Sequence, residues 1–156
     1  MLRILCAVSA LVATASALSI PARPPEGVFV ADEADVLDAE AEASLNTFLA
    51  KTWREDKVPF YVVTVHSLAS QMAQLYTIKN YAFSVYNQWG IGSQERNIGI
   101  LVLMSKEDRQ ARIELGWDWS NSQNEEAERI MSELMVPRFK EGDHARALSR
   151  TLLLAR

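Results

Sequence analysis

Apolar residues recur at three- and four-residue spacing in two long stretches of the chain, a pattern typical of amphipathic helices. The first predicted helix begins after Asp38, a residue type that caps helices, and runs to Trp53. The second extends from Ser70 to Trp89, and Gly90 is well placed to end it.

Two further helices are predicted in the last third of the chain. Ser122 and Glu125 have the spacing of a capping box before an apolar periodic run, and this helix is predicted to stop at Pro137. Asp143 is placed to cap a final helix that continues through Leu154.

The segments between these helices have the patterns of β-strands. Residues 60–65 and 98–104 are almost wholly apolar, β-branched or aromatic, as in strands that are covered on both faces. Residues 111–115 alternate strictly between apolar and polar side chains, so they are predicted to form a hairpin partner at a sheet edge. The alternation of helices with covered strands predicts an α/β fold, a three-layer α/β/α sandwich with a small central mixed sheet.

The amino terminus has the pattern of an export signal. A short basic start leads into an apolar run over residues 4–18, which is too short for a membrane-spanning helix of about 20 residues. Small side chains at residues 15–17 predict cleavage before Leu18, with residues 13–15 as a second candidate. A buried helix is the alternative interpretation, but the run has no polar face. We therefore predict a signal peptide over residues 1–17.

Removal of this signal leaves 139 of the 156 residues, enough for one domain with a hydrophobic core. Residues 18–27 contain three prolines and no periodicity, so they are predicted to form an extended linker before a domain over residues 28–156. The mature protein is expected to be secreted, periplasmic or in an organelle lumen, without a stable membrane anchor.

Charge and cysteine content exclude several classes of function. The formal net charge is −4, and the loss of Arg3 with the signal makes it −5, with 15 basic against 20 acidic residues. The chain therefore lacks the basic excess that is typical of nucleic-acid-binding proteins. The single cysteine, Cys6, also lies in the signal, so the mature domain has no thiol for a disulfide, a zinc site or nucleophilic catalysis.

Familiar catalytic motifs are missing from the sequence. The Gly90-Ile91-Gly92 segment follows a helix and lacks the third glycine of a dinucleotide loop. The sequence has neither a phosphate loop nor a serine-nucleophile elbow, and its two histidines, His66 and His144, are not spaced as a metal-binding pair. These patterns predict no catalytic residue.

Acidic and amide side chains in two predicted loops suggest a cation site. Asp32 precedes the first helix, and Asp118 and Asn124 precede or open the third. Calcium takes oxygen ligands from flexible loops, so these three residues are predicted metal ligands if the loops meet. The alternative is that they only cap helices and turns, because no calcium-loop motif is present. Trp117 and Trp119 flank Asp118, and their alternation predicts one in the core and one on the surface.

Six segments follow one another in an order and spacing that match a known family. They are VADEADVL (30–37), YVVTV (61–65), WGIG (89–92), IGILVL (98–103), RIELG (112–116) and PRFKEGD (137–143). Together they resemble the TPM domain, and the likeness covers about residues 28–154. The resemblance implies an α/β/α sandwich on the non-cytosolic side of a membrane. Family members include thylakoid-lumen proteins associated with photosystem II repair, bacterial envelope proteins and animal receptor modulators.

The resemblance also implies two activities, acid phosphatase activity as in plant-type members and calcium binding as in some bacterial ones. Asp32 and Gly116 match positions of the family pattern. Asp118 stands where the family usually has a second glycine, and Asn124 stands where it usually has an aspartate. Asn124 has no carboxylate, so a phosphatase that depends on a catalytic carboxylate at this position would lack it here.

These observations predict an exported, non-enzymatic accessory domain that binds a protein partner or a membrane complex, with a loop-bound calcium ion. The alternative is a metal-assisted acid phosphatase, in which the same carboxylates would hold a cation that activates water. An assembly factor or chaperone is a third hypothesis. No nucleic-acid partner is expected, and the sequence leaves the oligomeric state open.

Overall fold

A computed structural model describes residues 17–92 and 95–149. The strands are β1 (Val30–Asp32), β2 (Phe60–Val65), β3 (Ile100–Ser105) and β4 (Gln110–Leu115). The helices are α1 (Ala39–Asp56), α2 (Ile78–Trp89), α3 (Asn121–Arg129), α4 (Val136–Lys140) and α5 (His144–Ser149). A 3-10 turn over Ala69–Gln71 lies between β2 and α2, and a π-helical segment over Ile130–Met135 joins α3 to α4.

The four strands form one mixed sheet in the order β1-β2-β3-β4. The first three are parallel, and β4 runs antiparallel to β3. Every residue of β2 and β3 is buried. Because neighbouring side chains of a strand point to opposite faces, this burial means that both faces of the sheet are covered. The predicted three-layer sandwich with a mixed sheet and an edge strand at residues 111–115 is confirmed.

α1 begins and α2 ends as their sequences predict, but α1 continues three residues beyond Trp53 to Asp56 and α2 begins later than predicted. Asp38 caps α1 through its carboxylate, and Gly90 ends α2 in a left-handed conformation with φ of 61°. The predicted start at Ser70 is wrong. The chain there makes only a 3-10 turn, Met72 then adopts φ of 54°, and Thr77 caps α2. A left-handed residue cannot continue an α-helix, so the periodic pattern spans two elements.

The capping box of the third helix lies two residues earlier than predicted. Ser120 and Gln123 form it, through a bond from the Ser120 N–H to the Gln123 side chain at 2.9 Å. The predicted pair, Ser122 and Glu125, has the same spacing. Sequence spacing alone cannot choose between two overlapping boxes, because both offer a hydroxyl and a side-chain acceptor three residues apart.

The prediction that the third helix stops at Pro137 is wrong. After α3 the chain stays helical through the π-helical segment and α4, up to Lys140. The π-helical segment makes this possible, because the Val136 N–H bonds to the Met131 carbonyl five residues back. Such a widened turn accommodates a proline, which has no N–H to donate. The same segment covers the open edge of β4, where the Ile113 N–H donates to the Met131 sulfur at 2.9 Å.

Residues 18–25 pack against α2, and we call them the amino-terminal strap. The Ser19 carbonyl accepts the Tyr81 hydroxyl at 2.9 Å, and the Pro21 carbonyl accepts the Trp89 indole N–H at 2.8 Å. Residues 18–27 are predicted to be a linker, but residues 18–25 of this stretch pack on the domain. Its prolines keep the backbone extended, so its carbonyls remain available to side chains of α2. The predicted signal peptide lies outside the described residues except for Ala17.

Among the residues that the structure describes, none of the helices has the length and apolar character needed to cross a bilayer. The core instead lies between the sheet and its helices. α1 packs on β1 and β2, α2 packs on β3 and β4, and the π-helical segment packs on β4. The largest fully buried side chains include Tyr81, Phe60, Leu49, Ile100 and Leu101.

Candidate functional site

Asp32 ends β1, and donors from the protein itself surround its carboxylate. It accepts the backbone N–H groups of Val36 at 2.9 Å and Leu37 at 2.8 Å, and also the hydroxyl of Thr64. The carboxylate therefore holds the turn between β1 and α1 in place. This is the capping role that the sequence left open as the alternative to a cation site.

Asp32 and Asp118 lie at opposite ends of the sheet. Asp32 pairs with Thr64 of β2, and this level of the sheet corresponds to Ala111, near the start of β4. Asp118 follows the other end of β4. Three strand spacings and the length of β4 separate the two residues by roughly 20 Å. Bonds from calcium to oxygen are only about 2.5 Å long, so Asp32 and Asp118 cannot share an ion.

Asp118 and Asn124 both follow β4, where each is bonded to its own surroundings. The Asp118 carboxylate accepts the Asn97 N–H at 2.6 Å, and the Asp118 N–H donates to the Asn97 carbonyl at 3.1 Å. The Asn124 amide donates to the Ser120 carbonyl at 3.1 Å. In residues 17–92 and 95–149, no group of three His, Cys, Asp or Glu side chains is arranged to hold a metal ion.

A cleft of about 310 Å³ opens at this end of the sheet, between α2, the end of β4 and the start of α3. We call it the Trp117 cleft. It is lined by Phe83, Tyr86, Asn87, Glu114, Leu115, Gly116, Trp117, Trp119, Asn121 and Asn124. Of the three predicted site residues, only Asn124 lines this cleft, and Asp118 lies between its two tryptophans in sequence.

Two aromatic side chains of the Trp117 cleft are open to solvent. Trp117 is 85% exposed and Phe83 is 47% exposed. Trp119 is partly buried, and its indole N–H donates to the Gly99 carbonyl at 3.2 Å. The structure thus assigns Trp117 as the surface tryptophan of the pair. Exposed aromatic surface beside polar groups is typical of a binding site.

The polar wall of the cleft is held by an ion pair and a tyrosine hydroxyl. Glu114 accepts a bond from Arg112 at 3.1 Å, and both side chains are largely buried. Burial raises the pKa of Tyr86 to about 12, and the nearby Glu114 carboxylate adds to this effect. The Tyr86 hydroxyl donates to the Asn97 side-chain oxygen at 2.6 Å. At neutral pH Tyr86 is therefore a protonated donor and not a general base.

Asn97 joins the parts of this site, and the sequence analysis missed it. Its side chain accepts from Tyr86, and its backbone pairs with Asp118. A Cβ atom on Gly116 would collide with the Asn97 carbonyl oxygen, so only glycine fits there. The one feature of the sequence that could have indicated Asn97 is its position as a polar residue directly before an apolar strand. Its partners are far away in sequence, so only the folded chain brings them together.

Two other cleft residues lie on the predicted solvent-facing side of their elements, which was a weak indication of a site. Phe83 is an aromatic residue on the solvent side of the predicted second helix, and Glu114 lies on the polar side of the predicted edge strand. Exposed aromatic residues are individually common, so neither position predicted a site on its own.

A family model for the TPM domain, named TPM phosphatase, matches residues 30–155 of the chain. The chain belongs to the TPM domain family. The resemblance drawn from the six sequence segments is thereby confirmed. No curated protein matches the chain.

Two solved structures resemble this TPM domain. The N-terminal domain of a protein from P. gingivalis shares 28% sequence identity with a TM-score of 0.69, covering 81% of this chain and 78% of the other. The N-terminal domain of the cg2496 protein from Corynebacterium glutamicum shares 15% identity with a TM-score of 0.61, covering 87% and 82%. The second likeness concerns the fold alone.

Three residues of this TPM domain that bear on the family pattern, Gly116, Asp118 and Asn124, lie at the same end of the sheet. Gly116, which keeps the pattern, lies against Asn97 and leaves no room for a side chain. Asp118, which departs from it, forms a reciprocal pair with the Asn97 backbone. Asn124 faces the cleft with a neutral amide. This end of the sheet therefore combines a glycine that leaves no room for a side chain with the carboxylate of Asp118 and the neutral amide of Asn124.

Proposed function

We propose that this TPM domain is an exported, non-enzymatic accessory domain that binds a protein partner through the Trp117 cleft. The exposure of Trp117 is the observation that carries the proposal. Aromatic anchors supply much of the binding free energy at protein interfaces. A partner that places an apolar side chain between Trp117 and Phe83 would remove both surfaces from water.

The amide groups around this aromatic pair suit a peptide backbone. Asn87, Asn121 and Asn124 line the cleft, and each amide offers both a donor and an acceptor. Such groups bond to main-chain N–H and C=O groups without a strong preference for charge. The cleft thus combines an apolar anchor site with a polar rim, the usual organisation of protein interfaces.

The side chains that could act in catalysis are already bonded within the protein, which supports a non-enzymatic role. Asp32 is bonded within its turn, Asp118 accepts from the Asn97 backbone, and Tyr86 is held protonated. A catalytic base must be within reach of substrate and able to accept a proton at the working pH. Asp32 is committed to its turn, and Tyr86 keeps its proton at neutral pH, so neither of these two groups is a free base facing a substrate.

Export remains part of the proposal, supported by the signal pattern over residues 1–17. We expect the mature protein to begin at Leu18. Sequencing the amino terminus of protein recovered from the culture medium, periplasm or lumen tests this. A chain that retains Met1 in those fractions would contradict export by cleavage.

Comparative capture tests partner binding. Wild-type protein, Trp117→Ala and the control Leu75→Ala are immobilised and exposed to extracts of the native cells, and retained proteins are quantified. Leu75 is 96% exposed but lies outside the cleft, so its loss removes a comparable exposed apolar side chain. We expect one retained species to fall by about tenfold or more with Trp117→Ala only. Equal capture by all three proteins would contradict the proposal.

A metal-assisted acid phosphatase is the second candidate function. In this candidate the oxygen ligands of a calcium ion are Glu114 and Asn124, which line the Trp117 cleft, and Asp118 beside it, without Asp32. In that case calcium raises the melting temperature, and turnover of a model phosphoester disappears in Asp118→Asn. We expect no turnover, and turnover that disappears in Asp118→Asn would overturn the non-enzymatic proposal, whereas stabilisation by calcium alone would show only a cation site.

A further inference from the structure

A second concave surface lies at the amino-terminal ends of the parallel strands, separate from the Trp117 cleft. It consists of two adjoining pockets of about 350 and 340 Å³ that share Arg23, Trp53 and Pro59. We call it the cationic groove. Pro59 directly precedes β2, and Ile98, which lines one pocket, lies just before β3.

Basic side chains dominate the charge of this groove. Arg23 lines both pockets, and Lys57 and Arg96 line the second. Glu26 is the acidic residue among the lining residues. The chain as a whole has 20 acidic and 16 basic residues, so this local excess runs against its overall charge. A positive groove on an acidic protein attracts a negatively charged ligand and directs it to one place.

Arg23 is held in a fixed position rather than free to move as a surface cation. Its guanidinium donates to the Trp89 carbonyl at 2.7 Å and to the Tyr61 hydroxyl at 2.9 Å, and it stacks over the Tyr61 ring at 5.3 Å. A guanidinium has five N–H donors in a rigid fork, so these two bonds orient it and leave donors for a carboxylate.

The apolar wall between the cations indicates an extended ligand. Trp53 is 43% exposed in the groove and Pro59 lies beside it, while Phe29 and Ile98 are almost wholly buried and form its floor. All three cations line the second pocket, and the groove continues past Arg23 and Trp53 into the first pocket. A small anion would occupy the second pocket alone, whereas an acidic peptide with apolar side chains would also cover Trp53 and enter the first pocket.

We propose that the cationic groove binds an acidic peptide segment of a protein partner, with carboxylates at Arg23 and Lys57 and apolar side chains over Trp53. This surface differs from the Trp117 cleft, so it stands independently of the proposed function. Two glycines of the groove, Gly90 and Gly92, leave part of its wall without side chains, where a peptide backbone can approach closely.

The binding test uses a fluorescently labelled short peptide of alternating glutamate and leucine, with a glutamine-for-glutamate peptide as control. Fluorescence anisotropy measures its affinity for the full protein and its variants. We expect binding of the acidic peptide only, weakened by added salt. Lys57→Gln should weaken it roughly two- to fivefold, and Glu26→Gln should strengthen it, because one removes a favourable charge and the other an unfavourable one.

Lys51→Gln is the matched control, because Lys51 is an exposed lysine of the same helix end that does not line the groove. Equal affinity for both peptides, or equal weakening by Lys51→Gln and Lys57→Gln, would overturn the proposal. Complete displacement by inorganic phosphate would show a simple anion site instead. Self-association of the protein that Lys57→Gln abolishes would assign the groove to a second copy of this chain. Each of these last two results also overturns it.

Discussion

The carboxylate of Asp32 receives two backbone N–H groups and the hydroxyl of a residue that is 32 positions away in sequence. Those bonds tie the turn after β1 to the neighbouring strand β2 through Thr64. Bonds to an ionised acceptor are stronger than bonds between neutral groups. An acidic residue at a strand end can thus have a wholly structural purpose, even where its position in a family pattern suggests metal binding.

Asp32→Asn is expected to lower the free energy of unfolding by about 1–3 kcal/mol, because an amide is a weaker acceptor and presents an N–H₂ group to other donors. Urea unfolding with and without calcium chloride measures the effect. The loss should be the same in both conditions. Asp35→Asn is the control, since Asp35 is exposed with φ of 49°, a conformation that asparagine tolerates well. A calcium-dependent difference for Asp32→Asn would show that it binds the ion.

Tyr86 provides a pH-dependent test of the site. Its pKa is raised from 10.0 to about 12, chiefly by burial, so the folded state holds the proton more tightly than the unfolded state. Its contribution to stability is complete below about pH 10 and is lost as the pH rises toward 12.

In Tyr86→Phe the free energy of unfolding should therefore fall less steeply as the pH rises from about 10 to 12. It should also cost about 1 kcal/mol at neutral pH, because the Asn97 side-chain oxygen loses its donor. Tyr76→Phe, at an exposed tyrosine, is the control. Burial also raises the pKa of Tyr81, so some alkaline loss persists in the variant. An unchanged slope in Tyr86→Phe would contradict the assignment.

At the scale of elements, the amino-terminal strap and the π-helical segment both cover parts of the fold that strands and regular helices leave open. The strap bonds to Tyr81 near the start of α2 and to Trp89 at its end, and the π-helical segment covers the edge of β4. The strap has no repeating pattern, and the apolar periodicity of the third predicted helix does not distinguish a π-helical turn from an α-helical one. The positions of both segments depend on carbonyl groups and edges that exist only after the sheet has formed.

Deletion of residues 18–25 tests the role of the strap. The deletion leaves the Tyr81 hydroxyl and the Trp89 indole N–H without their partners and exposes apolar surface under Pro21. We expect a loss of about 3 kcal/mol or more in the free energy of unfolding. Chemical denaturation of chains that begin at Leu18 and at Glu26 measures it. Equal midpoints would show that these residues are a linker after all.

For the whole molecule, the sequence predicted the layers of the fold but not the meeting of its loops. Continuous apolar runs identified β2 and β3, and strict alternation identified β4 as an edge strand, because burial alone determines those patterns. Which strand ends share an edge depends on strand order and direction, which no local pattern contains. The predicted calcium site therefore joined Asp32 to Asp118 and Asn124, although the antiparallel direction of β4 places them at opposite ends.

The direction of β4 has a practical consequence for experiments on this protein. The loops that follow β1 and β2, including the segment around Leu75, emerge from the end of the sheet that lies away from both the Trp117 cleft and the cationic groove. Substitutions at such separated places usually have additive effects. A fluorophore, surface tether or fused reporter attached near Leu75 would thus leave both recognition surfaces free.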